Sequence, residues 1–142
     1  MLPKTAEYAL RAVVVLADPT GRAYTADQLA EATRVPRRYL HRVLQALVRA
    51  NIARSQSGPH GGYSLARAAD DTTILDVVNA VSPLERIRKC PLGLASHTDL
   101  CPLHRELDNA FATVEQAFGK VTIGDVATRP GRIRPLCEVQ NR

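Results

Sequence analysis

Four side chains with metal-binding or nucleophilic chemistry fall in one short stretch, KCPLGLASHTDLCPLH: Cys90, His97, Cys101 and His104. Thiolate and imidazole suit zinc, and cysteine thiolates are the usual ligands of iron–sulfur clusters. Two thiolates cannot close a four-ligand cluster by themselves, so such a site must recruit imidazole or carboxylate as well. A cysteine near a histidine is also the beginning of a nucleophile and its base. No Asp or Asn is spaced to orient either histidine, however, and no second domain is present to form a pocket, so an enzyme is not expected. The plainer alternative makes Cys90 and Cys101 loop thiols that answer oxidants. Cys137 stands in an arginine-rich tail and fits no ligand pattern. An odd cysteine count is more natural for thiols or metal ligands in a reducing compartment than for disulfides. The apolar run Val13 to Ala17 is far too short to span a bilayer and has no cleavage site after it. A cytoplasmic protein is expected, with no membrane partner and no small-molecule substrate.

A second chemistry lies upstream in residues 35–66, VPRRYLHRVLQALVRANIARSQSGPHGGYSLA. Leu40, Val43, Leu44, Leu47 and Val48 recur at three- and four-residue spacing and share one helical face. Arg37, Arg38, His41, Arg42, Gln45 and Arg49 fall largely on the other side. Asn51 stops the helix, Ile52-Ala53-Arg54 reads as a strand, and Gly58 to Gly62 is a turn cluster. Tyr63-Ser64-Leu65 alternates as a returning strand. A cationic helix followed by a two-stranded flap is how a winged helix meets DNA.

The charge supports an anionic partner. The 142-residue chain carries +5 with a pI near 9.5. Residues 1–69 hold ten Lys/Arg against four Asp/Glu, whereas residues 70–142 hold nine against ten. A merely solvated helix would not concentrate the excess in the half that contains the candidate interface.

The elements that must position these residues can be read from caps and periodicity. Residues 4–17 repeat Ala9, Ala12, Val13, Leu16 and Ala17 as a buried stripe, halted by Asp18-Pro19-Thr20-Gly21. Thr25 followed by Gln28 is a capping box for a short helix from Ala26 to Ala32. Thr33-Arg34-Val35 makes a turn, and Pro36 stands where the basic helix begins. That order is a helix-turn-helix. Asp70 to Thr73 caps a fourth helix, Ile74 to Val81, closed by Ser82-Pro83. Residues 86–101 have no clean period and read as a loop. Pro102 opens a long helix to about Lys120, with a near-heptad stripe of Leu103, Leu107, Ala110, Phe111, Val114, Ala117, Phe118 and Val121. Such a helix, added to a complete small domain, favours dimerisation. The expected fold is mainly α with a small two-stranded wing. It divides into a DNA-binding domain (1–83), an effector loop (84–101), a dimerisation helix with its end segment (102–127) and a flexible tail (128–142).

The segments YALRAVVVLA, VPRRYLHRVLQAL and SGPHGGYSLA resemble the Rrf-two family, the IscR- and NsrR-like winged-helix regulators of bacteria, over roughly residues 1–126. The resemblance implies a homodimeric transcriptional regulator, usually a repressor, on an imperfect palindrome. Its recognition helix would enter the major groove and its wing the neighbouring minor groove. Pro36, Arg37, Arg38 and Tyr39 stand at the helix end that contacts base edges, and arginine can bind guanine bidentately. Arg42 and Arg49 are better placed for phosphates. Thr25, Arg34, His41 and Arg54 complete the expected interface, together with Ser57, Gly58, His60, Gly61 and Gly62 of the wing. Gly61 and Gly62 are expected to use positive φ and close approach. Many relatives carry an arginine where this chain has Ser57, and His60 is the substitute at hand.

Cluster-binding relatives have three cysteines in the loop, and this chain keeps only the first and last. By the same resemblance, His104 matches a ligating histidine, and Glu7 matches an acidic ligand given by the opposite subunit. His97 lies near the missing cysteine as a weaker candidate. The implied set of Cys90, Cys101, His104 and Glu7 could hold a two-iron cluster in preference to a four-iron one, or zinc. The missing ligand favours a metal-free member. Glu7 alone is a surface carboxylate, favourable near a helix N-terminus in any case. The function expected is a DNA-binding regulator whose Cys90–Cys101 loop senses iron–sulfur, redox or nitrosative status. The competing reading is a metal-free winged-helix interaction module without DNA specificity, against which Arg37 and Arg38 speak.

Overall fold

A computed structural model of the chain describes residues 2–131 and 133–136. Of the expected tail, residue 132 and residues 137–142, Cys137 among them, lie outside the described residues. Helix α1 (Lys4–Leu16) buries Ala6, Ala9, Ala12, Val13 and Leu16 along one face. The small alanines let it lie close to the helices packed on it. The Thr25–Gln28 capping box forms in both directions, at 2.9 and 3.2 Å, and opens α2 (Ala26–Thr33). The helix ends on Arg34 in the left-handed region, φ 56°, which sets the turn of the helix-turn-helix. Pro36 is the N-cap of α3 (Arg37–Arg49), whose Leu40, Val43, Leu44 and Leu47 are buried while Val48 is half-buried. Asn51, at φ 58°, terminates it as expected.

The wing is an antiparallel pair, β1 (Ala53–Gln56) and β2 (Gly62–Leu65), with Arg54 opposite Ser64 and Ser55 opposite Tyr63. The strand begins one residue later than expected. Ile52 is instead a buried core plug, and its carbonyl accepts from the Ala66 amide at 2.8 Å. β2 also exchanges hydrogen bonds of 2.8 and 2.7 Å with Tyr24, so the wing is tied to the segment entering α2. The two wing glycines have different causes. Gly62 does adopt positive φ, 136°, under the Tyr24 backbone. Gly61 does not; it is required by space, because a Cβ would lie 2.5 Å from the Gln56 carbonyl oxygen.

A 3-10 turn at Ala69–Asp71 leads to Thr73, which caps α4 (Ile74–Val81) reciprocally with Asp76. Helix α5 (Pro102–Gly119) follows the long loop. Val121 falls outside it, contrary to the expected stripe, and its carbonyl accepts from Ile74 at 2.9 Å. A final helix, α6 (Ile123–Thr128), was not expected; Thr122 and Asp125 cap it reciprocally. Its Ile123 is fully buried in the same core as Val13, Leu29, Leu40, Leu44, Leu47 and Val77. Chain beyond α5 therefore completes the core of the winged helix.

Candidate nucleic-acid interface

Pro36, Arg37, Arg38, Tyr39, His41 and Arg42 all stand exposed along the outer face of α3. Burying the opposite leucine face fixes that orientation, so the cationic side meets solvent by default. The two arginines nearest the helix start are held differently. Arg37 pairs with Asp27 at the start of α2. Arg38 lies over the Tyr39 ring, 4.7 Å from its centre, and donates to the Tyr39 hydroxyl at 3.0 Å. Tyr39 in turn meets Tyr8 of α1, ring centres 6.1 Å apart. Arg11 connects α1 to the turn, donating to the Thr33 carbonyl at 3.2 Å and to Glu7 at 3.1 Å.

Around this helix, Thr25 is exposed but already accepts from the Gln28 amide, and Arg34 is exposed on the turn. The wing tip presents Ser57, Gly58 and His60 to solvent, folded by a Gly61 amide to Gly58 carbonyl bond of 2.9 Å. Arg54 departs from the expected set. It donates to Ser64 at 3.1 Å and lines a cleft with Asp18 and Pro19, whereas its neighbour Ser55 faces α3. Strand alternation puts the two on opposite faces.

The family model that matches residues 2–129 is Rrf2, described as an iron-dependent transcriptional regulator. The chain belongs to the Rrf2 family. It is similar to a provisionally named HTH-type transcriptional regulator of Mycobacterium tuberculosis strain H37Rv, 34% identical over 128 residues, which cover 86% of this chain and 78% of that one. An rrf2-like HTH-type regulator of Rhodobacter capsulatus, also provisionally named, is 30% identical over 126 residues, 85% and 81% of the two chains. Among solved structures, CymR, the global cysteine regulator of B. subtilis, superposes with a TM-score of 0.76 at 21% identity, covering 92% of this chain and 98% of that one. IscR of T. potens gives 0.73 at 20% identity over 88% and 84%. Those two show the shared winged-helix fold. This Rrf2 protein is a DNA-binding transcriptional regulator and not an enzyme, which displaces the reading as an interaction module. Among the described residues no helix is long and apolar enough to cross a membrane.

The loop of this Rrf2 chain runs without helix or strand from Ser82 to Cys101, and loops of that length are commonly functional. Two turns shape it, with the Gly93 amide on the Cys90 carbonyl and the His97 amide on the Leu94 carbonyl, both at 3.0 Å. Backbone amides point at the Cys90 sulfur, that of Leu94 foremost with Leu92 and Gly93 beside it, and lower its pKa. Cys101 is the N-cap of α5, and its sulfur lies 3.4 Å from His104 Nδ1. His97 Nδ1 is buried without a hydrogen-bond partner among the described residues.

The implied ligand set is not assembled. Among the described residues no three of His, Cys, Asp or Glu come together as a metal group. Cys101 and His104 meet only because three-residue spacing stacks them on one helix edge. Cys90 sits in a separate turn, and Glu7 is occupied by Arg11. Donors gathered in one chain therefore do not fit a closed cluster site. Sequence reasoning also missed the clamp that holds the loop. Arg86 makes two bonds to Asp108 of α5, at 2.7 and 2.8 Å, and the Ile87 amide adds a third at 2.9 Å. Arg86 is the main cause holding the Asp108 carboxyl below its usual range.

Proposed function

We propose that two copies of this chain pair through α5 and bind a palindromic operator as a sequence-specific repressor, with the Cys90–Cys101 loop as the input. The observation that carries this reading is the state of α5. None of its residues is buried, and Leu103, Leu107 and Phe111 are 63%, 43% and 43% exposed. A water-facing apolar stripe on one long helix is stable when a second copy covers it. Two α3 helices related by that axis would meet two half-sites of opposite polarity.

On this reading residues 1–83 bind DNA, 84–101 form the effector loop and 102–127 carry the dimer contact with its end segment. Base edges are read by Pro36, Arg37, Arg38 and Tyr39, and the wing residues Ser57, Gly58, His60, Gly61 and Gly62 enter the neighbouring minor groove. Thr25, Arg34, His41 and Arg42 hold the backbone. The amides around Cys90 support a thiol-based response to redox or nitrosative conditions. An iron–sulfur cluster would need donors that one chain does not gather.

Enrichment of bound duplexes from a random pool tests the central claim. The expected product is an inverted repeat bound by a dimer; enrichment of no sequence, or of a single half-site bound by a monomer, would sink it. Iron and acid-labile sulfide measured in anaerobically purified protein test the input. Colourless protein with an oxidant-dependent change in DNA affinity supports the thiol reading, and stoichiometric iron and sulfide would replace it with a cluster.

A further inference from the structure

We infer that the pocket formed by α1, the end of α2, α6 and residues 134–136 is an effector site for a small apolar monocarboxylate, a second input beside the loop. Its role as a switch rests on the DNA-binding reading above; its occupancy does not. The pocket has a volume of about 460 Å³, inside the ~300–1,000 Å³ range of small-molecule sites. Val14, Val15 and Ala17 form its α1 wall. Ala32 of α2 and Ala127 of α6 are small and leave the space open, and Pro135 and Leu136 add a further apolar wall.

The polar groups lining it select the charge of the occupant. Asp18 is saturated. One of its oxygens accepts from the Thr20 amide and hydroxyl at 2.9 and 2.8 Å, the other from the Tyr24 hydroxyl at 2.6 Å, with Arg22 Nε at 3.5 Å. It therefore offers no free seat for an ammonium group. Arg22 is likewise engaged, paired with that carboxylate and lying 4.3 Å from the centre of the Tyr24 ring. Arg134 is the cation left over: among the described residues it makes no hydrogen bond, ion pair or ring contact. One unpaired guanidinium beside apolar walls fits one carboxylate on a hydrocarbon body, whereas a phosphate dianion would keep a charge uncompensated.

Position gives the site its leverage. Tyr24, part of its lining, exchanges backbone hydrogen bonds of 2.8 and 2.7 Å with Tyr63 of the wing. Ala32 lies one residue before the Thr33–Arg34 turn that leads to α3. A ligand bracing these segments favours one placement of wing and α3, and what it does to DNA affinity DNA must do to its own binding.

The test is calorimetric titration of the full chain with 4-methylpentanoate and phenylacetate, and with the two corresponding amides as neutral counterparts. Wild type is compared with R134Q, A32L and R129Q. Ala32, Arg129 and Arg134 are all exposed, so the variants should fold, with unfolding midpoints as the check. The expected result is saturable binding of at least one acid, weakened about tenfold by R134Q or by the change to the amide. A32L, which fills the pocket, should abolish binding. R129Q removes the same charge outside the pocket and should leave it unchanged. Saturating acid should change the operator affinity of wild type about fivefold and that of A32L not at all. No saturable binding of either acid would overturn the site, as would equal losses in R129Q and R134Q, or an amide bound as tightly as its acid. Binding that leaves operator affinity unchanged would strip the pocket of its role as an effector site and overturn the proposal as well. Wild type that binds no duplex would instead overturn the DNA-binding reading, while the titration still judges the pocket.

Discussion

On the surface proposed to face DNA, the arginines at the start of α3 suggest a use for a carboxylate. Asp27 repels phosphates, yet it holds one edge of the Arg37 guanidinium and leaves the other for a bidentate partner. Exposed pairs of this kind add little stability, so the effect belongs to recognition. Asp27→Asn is therefore expected to raise affinity for random DNA by a factor of about 3–10 at low salt through lost repulsion. The same variant should narrow the preference for the operator, as competitive binding of operator and random duplex would show. Arg38→Ala should lower operator affinity more than random-DNA affinity; equal loss would reduce Arg38 to a phosphate contact. At the other end of the small domain, Asp18 receives the Tyr24 hydroxyl at 2.6 Å. That bond, with the Thr20 amide and hydroxyl behind it, lowers the Asp18 pKa from 3.8 to about 2. A depressed carboxyl stabilises the fold fully above its unfolded value and loses that contribution as pH falls through about 2. Tyr24→Phe should cost about 1 kcal/mol at neutral pH and move the acid unfolding midpoint upward, followed by circular dichroism.

Local signals account for which elements were legible. The capping box at Thr25, the leucine face of α3 and the Gly58–Gly62 turn are written in adjacent residues, and all three stand as read. Helix α6 escaped because six residues carry no period, although Thr122 and Asp125 held the same cap signal as Thr25 and Gln28. The Arg86–Asp108 clamp spans 22 residues, and no propensity or spacing rule reaches that far. Gly61 meets the expected close approach but not the positive φ, because its crowding by Gln56 depends on the hairpin register. The loop ligands rest on resemblance, and among the described residues no three of them come together. Among elements, α5 makes the sharpest prediction. Phe111→Glu puts charge into the middle of its exposed stripe and should yield a folded monomer with greatly reduced operator affinity, read by light scattering and binding. A persistent dimer would place the contact elsewhere.

At the scale of the molecule, α5 joins the body that carries α3 through α4 and through the chain that follows it, where the Val121–Ile74 and Ile123–Thr72 backbone bonds close, while Arg86 ties the preceding loop to Asp108 in its middle. Ile123 fills the winged-helix core, so a chain ending at Gly119 should leave a cavity and lose about 2–5 kcal/mol, as a large-to-small core change does. Chemical denaturation of that truncation checks it. In the loop, no residue of 88–100 is fully buried, and only Cys90, His97 and Leu100 are half-buried. Their Pro91, Leu92, Leu94, Ala95 and Ser96 are exposed, and the core closes without them. The loop is thus an exchangeable cartridge on the proposed reading: the core closes without it, so a different sensing peptide spliced there should leave the DNA-binding frame folded while changing the signal it answers.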